Sequence, residues 1–296
     1  ITAMVTPFDA SGVADPAAAA RLARSLVASG SDAVVVNGTT GESPTLSRSE
    51  RLSVLDAVRA ALPDHGVLMG TGSYDTASAV AQTREALEHG ADAALVVSPY
   101  YNRPPQEGLI AHFEAVADVG LRVVLYNIPS RCGVNLPPAT QLRLAGHPNI
   151  VGTKEAAGDV EQCAQICAGA PPRFTVWSGD DALTLPFMSV GAAGVVSVAS
   201  HVAGAAIRRM IEAHLAGRPG DATRLHHALL PLFKGLFVTA NPIPVKAALG
   251  MVGFDAGSVR LPLVPLDDDR REELGALLRS LGDLVCLSPA TAPAGA

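Results

Sequence analysis

Short runs of β-branched and apolar residues return along the chain at intervals of roughly 25–35 residues. They are Ile1–Val5, Ala33–Val36, Val67–Met69, Ala94–Val97, Val123–Tyr126, Ile150–Thr153, Phe174–Trp177 and Gly194–Val198. Several are continuously apolar, as expected of parallel strands covered on both faces. The stretches between them are rich in alanine and leucine at helical spacing. Over residues 15–30, Leu22, Leu26 and Val27 share a face, and the helix is expected to end at Gly30. Pro104 and Pro105 open a helix over "QEGLIAHFEAVADVG", with Leu109, Phe113 and Val116 on its apolar side. Eight strands alternating with helices predict an α/β chain folded as a (β/α)8 TIM barrel, with a doubly wound sheet as the alternative. "GTTGES" at 38–43 matches neither phosphate-cradling glycine fingerprint, which counts against the alternative.

After about residue 217 the strand pattern stops. "DATRLHHALLPLFKGLFVTA", "NPIPVKAALGMVG" and "DDDRREELGALLRSLGDLV" read as helices. The predicted organisation is a catalytic barrel over 1–217 and a C-terminal helical domain over 218–296, whose final "SPATAPAGA" is expected to be a mobile tail.

Residues 182–207 contain no Asp, Glu, Lys or Arg, but Pro186, Gly191, Gly194 and Gly204 interrupt them. They read as helix, turn, buried strand and turn, not as a membrane span. With 48% hydrophobic and 17% charged residues the chain is globular. A net charge of −6 with no basic block argues against nucleic acid as a partner. No signal peptide is visible, and the expected location is the cytoplasm. Cys132, Cys163, Cys167 and Cys286 form no Cys-x-x-Cys pair and read as reduced thiols. No zinc spacing or Ser-His-Asp set stands out, and no metal is expected.

In a barrel, chemistry sits where strands end at their C-terminal side. Strand two runs into Thr39 and Thr40, and strand four into "SPYYNRP" with Tyr100 and Tyr101. Strand five runs into "LYNIPSR" with Tyr126 and Arg131, strand six ends at Lys154, strand seven at "WSGDD", and strand eight carries Val196. A lysine buried in an apolar mouth is shifted towards its neutral form, which attacks a ketone to give a Schiff base. The competing reading of Lys154 is a solvated strand end paired with Glu155. Tyr126 could pass protons at the same place, with Thr39 in a hydroxyl relay, or be a core aromatic. Arg131 suits a carboxylate bidentately, or is an exposed loop charge. Thr40 could meet a second carboxylate, or serve its turn. Asp180 and Asp181 read as caps of the next helix.

"GTTGES", "PYYNRPPQEG", "LYNIPSR", "GTKEAAGD", "SGDDA" and "NPIPVK" occur in that order. As a set they resemble the pyruvate-dependent class I aldolase superfamily, the N-acetylneuraminate lyase-like group, and within it the dihydrodipicolinate synthase family, from Ile1 to about Leu284. The resemblance implies a lyase that condenses pyruvate with L-aspartate-4-semialdehyde on the route to diaminopimelate and lysine. It implies a covalent Schiff base on lysine in place of a cofactor, and a homotetramer built as a dimer of dimers. Lys154 matches the Schiff-base lysine and Tyr126 the proton-shuttling tyrosine. Thr39 and Tyr101 match the rest of the relay, Tyr101 reaching in from a neighbouring subunit. Thr40 would hold the pyruvate carboxylate, Arg131 the carboxylate of the aldehyde, and Gly179 and Val196 would line the pocket. Two readings stay open beside it. One is another pyruvate-dependent aldolase, acting on 2-keto-3-deoxy sugar acids, 4-hydroxy-2-oxoglutarate or sialic acid. The other is a catalytically silent barrel used as a binding protein.

One region departs from the family pattern. Lysine-inhibited members hold lysine with a histidine, an asparagine and a glutamate among the contacts. The matching positions here are Arg51, Tyr74 and Ser78; Arg48 replaces another histidine, and Tyr100 is retained. Without the carboxylate partner and with two added cations, feedback inhibition by lysine is expected to be weak or absent.

Overall fold

Valine-rich runs covered on both faces form parallel strands because their branched side chains pack well on a pleated surface. In a computed structural model, which describes residues 1–287, seven such strands hydrogen-bond in sequence order, from β1 to β7. The chain divides into two packed units: Ile1–Val67 with the segment from Val198 onward, and Leu68–Ser197.

The first unit holds β1 (Thr2–Ala3), α1 (Pro16–Ala28), β2 (Ala33–Val36), α2 (Arg48–Ala61) and the start of β3 (Gly66–Gly70). Pro16 at the first turn and the Asp15 side chain, which accepts from Ala18 N, start α1; Leu22 and Leu26 on its apolar stripe are fully buried. The second unit continues with α3 (Thr76–Glu88), β4 (Ala93–Val97), α4 (Gln106–Ala117), β5 (Val123–Asn127), α5 (Pro129–Cys132), α6 (Pro138–Leu144), β6 (Ile150–Glu155), α7 (Val160–Gly169), β7 (Thr175–Ser178) and α8 (Thr184–Ser189). The first unit then resumes with α9 (Ser200–Leu215), α10 (Pro219–Gly235), α11 (Ile243–Met251) and α12 (Asp268–Leu281). The last three are the helices expected after residue 217. The expected tail over "SPATAPAGA" lies outside the described residues.

Leu109, Phe113 and Val116 of α4 are all completely buried, as their spacing predicts. Each such side chain contributes about 1.5–3 kcal/mol on burial.

Three strands differ from the sequence reading by more than one residue at an end; β1 keeps only Thr2–Ala3 of the run Ile1–Val5. The run Gly194–Val198 forms no ladder; it meets β7 through one parallel bridge, Ser178 to Val195, flanked by Ala193 N to Val176 O and Val196 N to Ser178 O. Its glycine and the helix that begins at Ser200 leave too little extended chain for more. Strand β6 is longer than expected: it runs through Lys154 to Glu155, so the lysine lies inside the strand and not beyond it. Gly152 permits this close pairing, since a Cβ there would meet Trp177 at 2.6 Å.

Candidate active site

Side chains alternate between the two faces of a strand. In the ladder between β5 and β6, Tyr126 stands opposite Lys154, and Asn127 opposite Glu155. Tyr126 and Lys154 therefore share one face of the sheet, and Asn127 and Glu155 the other. Lys154 Nζ lies 4.3 Å from the centroid of the Tyr126 ring. Both side chains are buried, with Lys154 5% exposed. Burial holds the Lys154 amine down at about 8; the Asp181 carboxylate opposes that shift and the Arg131 guanidinium adds to it. Lys154 is thus a buried amine with a substantial neutral fraction, not a solvated strand end.

Glu155 is not its ion-pair mate. It is fully buried on the opposite face, where it accepts from Asn127 Nδ2, Gln141 Nε2, Gln162 Nε2 and the backbone N–H of Ala157. Burial pushes this carboxyl up, and those donors pull it back.

Gly179 borders Lys154. A Cβ there would come within 3.1 Å of Lys154 Cγ and 2.6 Å of Ala156 Cβ, so a larger residue would displace the lysine stem. Val196 is buried beside β7. Asp180 caps a short 3-10 turn, accepting from Ala182 N at 2.8 Å, as the sequence suggested for both aspartates. Asp181 does something else: 3% exposed, it accepts a short hydrogen bond from the Ser197 hydroxyl and sets a negative charge near Lys154. The sequence carried no signal for this, because an aspartate after a strand-ending glycine most often caps.

Arg131 sits exposed on α5, where Pro129 fixes the first turn. Tyr101 occupies the loop between β4 and α4, is 92% exposed and has a left-handed backbone, φ 73°. It is not packed against Lys154 in its own chain. In the first unit, Thr39 and Thr40 occupy the turn after β2, closed by Gly41 N to Gly38 O and Glu42 N to Thr39 O. Thr40 is 3% exposed, and its Oγ1 accepts a 2.8 Å bond from Asn241 Nδ2, a partner the sequence did not reveal. That bond leaves the Thr40 hydroxyl proton to be donated elsewhere.

Of the residues that the sequence comparison sets at an expected lysine site, Arg48 and Arg51 lie on α2, whose first turn is closed by a capping box between Ser47 and Glu50. In the other unit Tyr74 and Tyr100 meet edge-on at 5.5 Å, and Ser78 N donates to the Asp75 carboxylate at the start of α3.

Known proteins resemble this chain over nearly its whole length. The family model described as the dihydrodipicolinate synthetase family matches residues 1–281. A 4-hydroxy-tetrahydrodipicolinate synthase of Synechococcus sp. (strain CC9605) is 55% identical over 284 residues, 95% of this chain and 94% of that one. The crystal structure of the lysine-bound synthase of Cyanidioschyzon merolae superposes with a TM-score of 0.93 at 46% identity, covering 95% of this chain and 97% of that one. A dihydrodipicolinate synthase structure from Bacillus anthracis gives a TM-score of 0.93 at 46% identity, with 94% and 96% covered. The fold class is accordingly the α/β TIM barrel of these enzymes with C-terminal helices. A family match over residues 1–281 and a relative 55% identical over 95% of the chain leave one assignment: the chain belongs to the dihydrodipicolinate synthetase family.

Proposed function

We propose that this chain is a lyase that condenses pyruvate with L-aspartate-4-semialdehyde to 4-hydroxy-tetrahydrodipicolinate, with Lys154 as the nucleophile. The observation that carries the reading is the buried Lys154 amine, held near 8 against the Tyr126 ring. At pH 7 about a tenth of such amines are neutral, against roughly one in a few thousand for an ordinary lysine. The neutral amine adds to the C2 carbonyl of pyruvate, and loss of water gives the iminium. The iminium draws electrons from C3, a C3 proton leaves, and the resulting enamine carbon forms the new bond to the aldehyde carbon. The aldehyde substrate's own amine then displaces Lys154 from C2, which closes the ring and restores the enzyme. Tyr126 is the proton carrier for water loss and imine exchange, with Thr39 and Tyr101 completing its relay. Thr40 gives its hydroxyl proton to the pyruvate carboxylate, and Arg131 takes the carboxylate of the aldehyde. Gly179 and Val196 wall the pocket. The imine is itself the electron sink, and no cofactor is assigned.

The exposure and left-handed backbone of Tyr101 fit a phenol presented to a second copy of the chain. A homotetramer built from such pairs, working in the cytoplasm, is the assembly this reading assigns. Among the described residues no helix is long and apolar enough to cross a membrane.

Borohydride reduction in the presence of pyruvate tests the reading. Wild type gains one pyruvate-derived adduct on Lys154 and Lys154→Ala gains none. A panel of aldehydes then gives fastest turnover with aspartate semialdehyde. An unlabelled wild type would overturn the imine, and preference for a sugar-acid aldehyde would overturn the substrate.

A further inference from the structure

Behind the sheet face that carries Tyr126 and Lys154 lies a closed polar cluster that the chemistry above does not use. Its centre is the fully buried Glu155. One carboxylate oxygen accepts from Asn127 Nδ2 at 3.0 Å and Ala157 N at 2.8 Å. The other accepts from Asn127 Nδ2 at 3.1 Å, Gln141 Nε2 at 2.7 Å and Gln162 Nε2 at 3.1 Å. Each of these bonds comes from an N–H, a pattern that fits the anion.

The cluster spreads outward from there. Asn127 Oδ1 accepts from Leu136 N at 3.0 Å, and Asn127 Nδ2 also donates to Asn135 Oδ1 at 2.7 Å. Asn135 Nδ2 donates to Gln162 Oε1 at 2.8 Å, and its carbonyl accepts from Gln106 Nε2 at 2.9 Å. Gln106 is the first residue of α4, directly after the loop of Tyr101. In that loop Arg103 Nε donates to Gly133 O at 2.9 Å, beside α5 and Arg131.

The ladder alone does not set the relation of the two strands. Its register shifts between Val123 and Val124, so β5 and β6 start out of step. A slip of one residue would carry Tyr126 opposite Thr153 or Glu155, whose side chains leave from the other face. The Asn127–Glu155 bond on the outer face exists only in the register that puts Tyr126 opposite Lys154.

We propose that Glu155 and its amide cradle are a positioning clasp for the reaction: from the far face of the sheet they lock the register that brings the Tyr126 phenol to the Lys154 amine, and they anchor the loops of Arg131 and Tyr101 to the same point. Glu155 touches no substrate and acts through its neighbours. The inference rests on the reading of Lys154 as the imine-forming residue.

The test compares wild type, Glu155→Gln and the exchange variant Glu155→Gln/Gln162→Glu, which returns one anion to the cluster. The readouts are the single-turnover rate of borohydride trapping with pyruvate, by intact mass, and steady-state kinetics per folded chain, by circular dichroism. Glu155→Gln lowers both the trapping rate and kcat by about ten-fold or more, while the pyruvate KM moves by less than about three-fold. The exchange variant recovers most of the lost rate. A wild type that gains no adduct refutes the reading of Lys154. A wild type that traps pyruvate, beside a Glu155→Gln variant within about two-fold of it, refutes the clasp alone. A loss that only tracks the loss of folded chain, or an exchange variant with no recovery, refutes it too. If Glu155→Gln yields no folded chain, Gln162→Leu replaces it, removing one donor and keeping the carboxylate. A folded Gln162→Leu slowed by about three-fold or more supports the clasp, and an unchanged rate overturns it.

Discussion

Lys154 and Tyr126 face each other across adjacent parallel strands, opposite one another in the ladder, with amine to ring centroid 4.3 Å. The first prediction concerns the charge on that amine. Its proton is held near 8 by burial, with Asp181 raising and Arg131 lowering the value. The reactive form is neutral, so the rate of pyruvate trapping rises with pH and levels off above about 8. Removing the counter-charge by Asp181→Asn moves the inflection downward. A pH profile of single-turnover trapping measures both. An inflection at the ordinary lysine value would mean that the amine is solvated.

Gly179→Ala places a methyl group within van der Waals contact of the Lys154 stem and hard against Ala156. Overpacking of this kind costs about 1–3 kcal/mol, and a displaced amine costs about ten-fold or more in kcat. Thermal denaturation and turnover of the same preparation read the two effects separately.

His201 supplies a stability prediction. Fully buried, it accepts from Val5 N at 3.1 Å through Nε2 and donates from Nδ1 to Val198 O at 2.8 Å, which uses the neutral ring completely. Burial lowers its pKa from 6.5 to about 4. Above the unfolded value both states are neutral and the contribution is intact. As pH falls through 6.5 the unfolded chain takes a proton that the folded chain refuses, so stability drains away down to about pH 4, by about 3 kcal/mol at most. Urea unfolding between pH 7 and pH 4 gives a shallower acid slope for His201→Gln than for wild type.

Arg131→Ala separates the two substrates. On its exposed short helix the guanidinium is assigned to the aldehyde's carboxylate. The aldehyde KM rises by about ten-fold or more, and pyruvate trapping stays within about three-fold of wild type. Unaffected turnover of aspartate semialdehyde would remove the assignment.

Lysine is expected to inhibit weakly or not at all. The positions that would carry a histidine, an asparagine and a glutamate hold Arg51, Tyr74 and Ser78. A lysine titration of initial rates checks this, and sub-millimolar inhibition would contradict it.

Apolar runs made seven of the strands legible in the sequence, because a strand buried on both faces must be continuously apolar. The same rule shortened β6: Lys154 and Glu155 are charged, so the run was read as ending where it in fact continues. It also lengthened the eighth strand, since Gly194–Val198 is apolar but forms isolated bridges in place of a ladder. That Lys154 and Tyr126 lie together was legible from their place near the ends of two neighbouring strands. The cluster around Glu155 was not, because Asn127, Asn135, Gln141 and Gln162 are scattered amides with no period or motif. Asp181 was hidden by the commoner use of aspartate as a cap, a use that Asp180 does have.

The ties of Asn135 and Leu136 to Asn127 have a consequence for redesign. The segment that bears Arg131 cannot be exchanged as an independent cassette to retarget the enzyme to other aldehydes. A graft that keeps the asparagine and the backbone amide after it inherits the host's strand alignment. One that discards them trades a new specificity for a misaligned amine, so the crossover points belong on the near side of residue 135.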